Sequence, residues 1–126
     1  MIFRYTILYV QDVRATLDFY ARAFGQTQGF LHDSGDFGEL QTGETKLSFC
    51  SIALMGQLGK KVATEPSALP AFEIAFETDD VQAALDRALA AGAELVQGVE
   101  QMDWGQTTAY VRTPDGTMVE ICTAVG

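Results

Sequence analysis

Histidine occurs once in this chain, at His32, and cysteine twice. Cys50 and Cys122 form no CxxC pair, and each lies in an apolar, strand-like run. A free cysteine in that setting is a small buried hydrophobe, and unpaired thiols point to a reducing, cytoplasmic environment. Basic residues are also scarce: eight Lys and Arg stand against seventeen Asp and Glu, a net charge of −9. Phosphate recognition draws on clustered cations, and the only adjacent pair is Lys60-Lys61, so nucleic acid and anionic membrane surfaces are excluded as partners. Long apolar runs are missing too. The longest, Leu47 to Met55, falls well short of the roughly 18 residues a membrane helix needs. Met1-Ile2-Phe3-Arg4 does not open a signal peptide.

What is present suits a folded domain. Apolar residues make up 48% and charged residues 20%, without the low hydrophobicity that leaves a chain disordered. A chain of 126 residues can bury roughly two thirds of its unfolded surface, as one domain or as two small fused modules.

The pattern favours two modules, because the chain repeats itself. DVRATLD at Asp12–Asp18 and DVQAALD at Asp80–Asp86 agree at five of seven positions. In each copy an alternating run comes first, YTILYV and then FEIAFET, and an Asp stands where a helix cap belongs. Apolar residues follow at helical spacing: Val13, Leu17, Tyr20 and Phe24 before Gly25, then Val81, Leu85, Ala88 and Leu89 before Gly92. Three strand-like runs complete each copy. They read GFLHD, GELQT and KLSFCS in the first, and AELVQGVEQ, QTTAYVRT and TMVEICTAV in the second. Thr113-Pro114-Asp115-Gly116 marks a tight turn before the last strand. The expected fold is α+β: a βαβββ module over residues 1–51, a linker over 52–70 with a short helical piece, and a second βαβββ module over 71–126. Each module covers one sheet face with its helix, and the two mixed sheets are expected to form a curved open barrel around a central cavity.

Paired βαβββ modules, the YxxxxVxDVxxxLxFYxxxFG opening of Tyr5–Gly25 and the closing TPDGTMVEI resemble the vicinal oxygen chelate superfamily over essentially the whole chain. That superfamily includes glyoxalase I, bleomycin-resistance proteins, fosfomycin-resistance enzymes and extradiol dioxygenases. The resemblance implies a homodimer, and metal ligands (His, Gln or Glu) on the first and last strand of each module. Carried over, those sites fall on Tyr5 and Glu73 for the first strands and on Glu120 for the last strand of module two. Counting four residues past Gly43, as Glu120 lies four past Gly116, puts the remaining site on Leu47. No His stands at any of them; His32 lies on the second strand, as a surface or hydrogen-bonded residue.

Glu73 and Glu120 therefore carry the site. Two carboxylates on one concave face need compensation, from a divalent cation such as Mg²⁺, Mn²⁺, Ca²⁺ or Zn²⁺, or from a proton kept by one of them. The plainest alternative is a pair of solvated glutamates in an open groove. Tyr5 and Tyr9 share one face of the first strand and suit an aromatic or amphipathic small molecule; core filling is the competing role. Met118 flanks Glu120, and Trp104 stands at a turn near the rim, for ligand stacking or for packing. The leading expectation is a glyoxalase/bleomycin-resistance-like protein binding a small organic molecule between its modules, with no cofactor assigned. The alternatives are a metal-dependent lyase or isomerase of glyoxalase I type using Glu73 and Glu120 as catalytic groups and metal ligands, and a degenerate member kept for protein interaction.

Overall fold

The structure is a computed structural model describing residues 1–126. In chain order the elements are β1 (Tyr5–Val10), α1 (Val13–Phe24), β2 (Gln28–Leu31), β3 (Phe37–Leu40), β4 (Lys46–Ser51) and α2 (Ile52–Gln57). Then follow β5 (Glu73–Glu77), α3 (Val81–Ala90), β6 (Glu94–Gln101), β7 (Thr107–Arg112) and β8 (Met118–Cys122). This is the α+β architecture of two tandem βαβββ modules, with α2 added after the first. Each module has its own open four-stranded mixed sheet, β1-β4-β3-β2 and β5-β8-β7-β6, whose first and last strands pair in parallel. No helix is long and apolar enough to cross a membrane.

The chain divides into two compact units, residues 1–21 with 25–65, and residues 22–24 with 66–126. In the first unit, alternation along β1 sends Leu8 and Val10 to the buried side and leaves Tyr5, Ile7 and Tyr9 on the other. The buried side meets Val13, Leu17 and Tyr20 of α1, and the Tyr20 ring lies 4.9 Å from that of Phe49 at the centre of β4. Gly38 on β3 lets α1 approach: a Cβ there would sit 2.7 Å from the Leu17 Cδ1.

In the second unit, Val81, Leu85 and Ala88 of α3 bury against Ala109 and Val111 of β7 and Val119 and Ile121 of β8. The end of α1 belongs to this unit. Phe24 stacks on Phe76 at 4.9 Å, the Arg87 Nε donates to the Arg22 carbonyl at 2.8 Å, and an Arg22 Nη donates to the Ala91 carbonyl at 3.2 Å.

Both long helices start as the repeat predicts. The Asp12 carboxylate accepts from the Ala15 N–H and the Asp80 carboxylate from the Ala83 N–H, each at 3.0 Å, satisfying a donor that the first helical turn leaves open. Replacing either Asp by Ala is expected to cost about 1 kcal/mol, while Asn retains most of it. A urea titration showing no loss for both alanine variants would remove the caps from the account. Gly25 ends α1 with φ 65°, whereas α3 closes on Ala91 in a right-handed conformation, and Gly92 takes the positive φ one residue later.

Candidate functional site

Because β5 pairs in parallel with β8 and β7 in antiparallel with β8, the register decides which side chains share the uncovered face of the second sheet. Ala75 stands opposite Glu120, Glu73 opposite Met118, and Tyr110 opposite Glu120. Val119 and Ile121 point to the helix, so Met118, Glu120 and Cys122 point away from it, together with Glu73, Ala75, Glu77, Tyr110 and Arg112. Glu73 and Glu120 are thus diagonal neighbours on one face, with Met118 beside them.

Tyr110 tightens this arrangement. Its phenol donates to the Glu120 Oε2 at 2.5 Å, a short charge-assisted bond that holds the carboxylate in place. Ionising the phenol would break that bond and set a second negative charge against Glu120 and, further off, Glu73; with partial burial this pushes the Tyr110 pKa up from 10.0. Burial, then the interaction with Glu120, raises the Cys122 thiol to about 11, and the thiol also lies 3.8 Å from the Phe76 carbonyl. The folded chain therefore keeps protons on these two groups that the unfolded chain releases, so stability falls with rising pH: the Cys122 share is complete below pH 9 and lost by about 11, and the Tyr110 share begins to fall only above pH 10. Urea midpoints falling above pH 9, with a smaller fall in Cys122→Ala, are the expected result; a flat alkaline profile would contradict it.

The first sheet has the same plan with different chemistry. Ile7 opposite Ser48 repeats Ala75 opposite Glu120, and Glu39 opposite Ser48 repeats Tyr110 opposite Glu120. Ser48, not Leu47, is therefore the counterpart of Glu120. Leu47 pairs with Thr6 and shares the helix side with Phe49. The count from glycine fails because the β3–β4 connection places Gly43 one residue further from the equivalent position than Gly116 is. The Ser48 hydroxyl is fully buried and has no hydrogen-bond partner. Tyr5, Ile7 and Tyr9, each about half exposed, form an apolar shelf on this face.

Trp104 lies in the β6–β7 turn and is exposed. Its Nε1 donates to the Gln106 Oε1 at 2.7 Å, and the Gln106 Nε2 donates to the Thr123 carbonyl at 2.7 Å, so the indole is held in place. His32 is exposed in the β2–β3 turn, where its Nδ1 accepts from the Ser34 N–H at 3.0 Å.

The donor set does not suit a catalytic transition metal. No group of three or more His, Cys, Asp or Glu side chains is placed to hold one, and one Glu120 oxygen already accepts a hydrogen bond from the Tyr110 phenol. Catalytic zinc sites take three protein ligands, and Tyr5 and Ser48 in the corresponding positions of the first sheet add no imidazole or carboxylate. What the face offers is a fixed, partly buried carboxylate beside a phenol, with a second carboxylate diagonal to it and a thioether alongside. Such a group accepts hydrogen bonds from an ammonium or a hydroxyl.

Comparison with known proteins agrees with this plan. The family model described as "Glyoxalase/Bleomycin resistance protein/Dioxygenase superfamily" matches residues 2–121. The chain is 25% identical over 117 residues to "Uncharacterized protein YraH" of Bacillus subtilis (strain 168), covering 90% of this chain and 91% of that one. A solved structure of a glyoxalase/bleomycin resistance protein/dioxygenase family enzyme from Burkholderia phytofirmans PsJN superposes with a TM-score of 0.83 at 21% identity, covering 98% of each chain. A glyoxalase-related enzyme from Fulvimarina pelagi gives a TM-score of 0.80 at 23% identity, covering 96% of this chain and 86% of that one. At such identities the likeness to the two solved structures speaks for the fold alone.

Proposed function

Since the chain belongs to the glyoxalase/bleomycin resistance protein/dioxygenase superfamily, we propose that it is a binding protein for a small cationic or hydroxyl-bearing organic molecule, held on the uncovered face of its second sheet. The observation that carries this reading is the 2.5 Å bond from Tyr110 to Glu120, with Glu73 diagonal to Glu120 on the same face. A carboxylate fixed by a phenol keeps its remaining lone pairs for a ligand, and a net charge of −9 draws cations toward it. Met118 supplies a polarisable apolar contact for the body of the ligand. The free cysteines Cys50 and Cys122 support a cytoplasmic setting.

The test uses hexylamine as a minimal cationic probe and follows backbone amide shifts by NMR in protein stripped with a chelator. Saturable shifts at residues 73–75, 110 and 118–120, unchanged by added Mg²⁺, Mn²⁺ or Zn²⁺, are expected. Binding that appears only when a divalent cation is restored would instead favour a metal-dependent lyase or isomerase built on Glu73 and Glu120. No shifts under any of these conditions would remove the reading of Glu120 as a cation anchor.

A further inference from the structure

Arg112 is the basic residue on the uncovered face of the second sheet. It stands opposite Met118, two residues along β7 from Tyr110, which puts it roughly 7 Å along the strand from the Tyr110–Glu120 pair. Its guanidinium does not pair with the carboxylates of that face. One Nη donates to the Ala68 carbonyl at 3.3 Å and the other to the Ser67 carbonyl, so its charge is directed at two neutral groups of the segment Pro66–Pro70. The segment has a second hold on the unit: Pro66 lies so close to Gly116 that a Cβ on Gly116 would approach the Pro66 Cβ to 2.5 Å. Beside Arg112 is an open depression of about 270 Å³, lined also by Pro66, Glu94, Thr113 and Gly116.

We propose that this face recognises a ligand bearing an anionic as well as a cationic group, and that Arg112 exchanges the Ser67 and Ala68 carbonyls for the anion, loosening the segment Pro66–Pro70 when the ligand binds. The inference rests on the reading of Glu120 as the anchor for the cation. Its physical basis is the difference between partners. A guanidinium bonds a carboxylate or phosphate oxygen roughly twice as strongly as a neutral carbonyl, and its planar fork matches a carboxylate in two-point contact. The depression gives an anion room to reach the guanidinium without displacing a strand. Glu94 stands opposite Arg112 across the β6–β7 pair, and with the net charge of −9 it repels a free anion. Only an anion carried in on a cationic ligand overcomes that repulsion, so the face selects a zwitterion long enough to bridge two strand positions about 7 Å apart.

Three probes of one carbon length separate the possibilities: hexylamine, 6-aminohexanoate and hexanoate, each titrated into the full chain by NMR, with the carbonyl carbon shifts of Ser67 and Ala68 followed as the report on their bonds to Arg112. The zwitterion is expected to bind at least tenfold more tightly than hexylamine, hexanoate not measurably, and the zwitterion alone is expected to move the Ser67 and Ala68 carbonyl shifts toward their unbonded values. Arg112→Gln is expected to reduce the zwitterion to the affinity of hexylamine or below it while hexylamine binds no more weakly, and to show the shifted Ser67 and Ala68 carbonyls without ligand. Arg112→Lys keeps the charge but not the fork and falls between the two. Equal binding of hexylamine and 6-aminohexanoate to the parent chain, or a preference that survives in Arg112→Gln, overturns this proposal and leaves the cation site standing. Failure of hexylamine itself to bind overturns both.

Discussion

Glu120→Gln is expected to weaken binding of a cationic ligand by roughly ten- to a hundredfold, the equivalent of losing one hydrogen bond to a charged group. The substitution is nearly isosteric and leaves an acceptor opposite Tyr110, so the sheet register and the core behind it are preserved. What disappears is the charge that attracts the ligand and raises the Tyr110 pKa. The variant therefore carries an internal control: spectrophotometric titration of its tyrosines should show one phenol moving down toward the ordinary value, because both the strong acceptor and the nearby charge are gone. Glu73→Gln should have the smaller effect on both measurements, since Glu73 is exposed and contributes to Tyr110 only through space. Unchanged ligand affinity in Glu120→Gln, with the phenol shifted as described, would show that the carboxylate is present but not the anchor.

Phe49→Ala is expected to cost about 3–5 kcal/mol, the range for removing a fully buried aromatic ring. Phe49 sits on β4, the strand between β1 and β3, opposite Leu8 on one side and Gly38 on the other, with its ring against Tyr20. The pocket cannot collapse readily, because the sheet backbone holds it on one side and α1 on the other. For a domain whose whole stability is about 5–15 kcal/mol, such a loss is severe, and the melting temperature should fall by roughly 10–20 °C. Phe49→Leu, which refills most of the volume, should recover more than half of it. Urea unfolding followed by circular dichroism decides the matter: a loss below 1 kcal/mol for the alanine variant would mean that the first unit does not depend on the β4–α1 contact.

Several features of the site are legible in the sequence alone. Glu73 and Glu120 were recognisable as neighbours because strand alternation has period two and the repeated motifs fix which strands are first and last in each module. Tyr110 was also within reach. A hairpin turning at Thr113–Gly116 that sets Arg112 opposite Met118 must set Tyr110 opposite Glu120, and counting outward from the turn finds it. The same count misplaced Ser48, because a glycine marks a turn without stating how many residues the loop holds around it. One residue of error in a strand carries a side chain from one face of the sheet to the other, which is the whole difference between Leu47 on the helix side and Ser48 on the side facing away from it.

The linear order of apolar and polar residues by itself determined the two βαβββ modules, the Asp caps of both long helices and the face on which the glutamates stand. Those are local properties: they depend on periodicities of 3.6 and 2, on turn residues, and on a repeat that can be aligned by eye. Only the tertiary structure decided the Tyr110–Glu120 bond length, the orphaned hydroxyl of Ser48 and the attachment of Arg112 to Ser67 and Ala68. Each depends on where two stretches distant in sequence meet, and for a long, flexible side chain such as arginine many partners lie within reach. Pattern states which residues share a face; packing selects which of them touch.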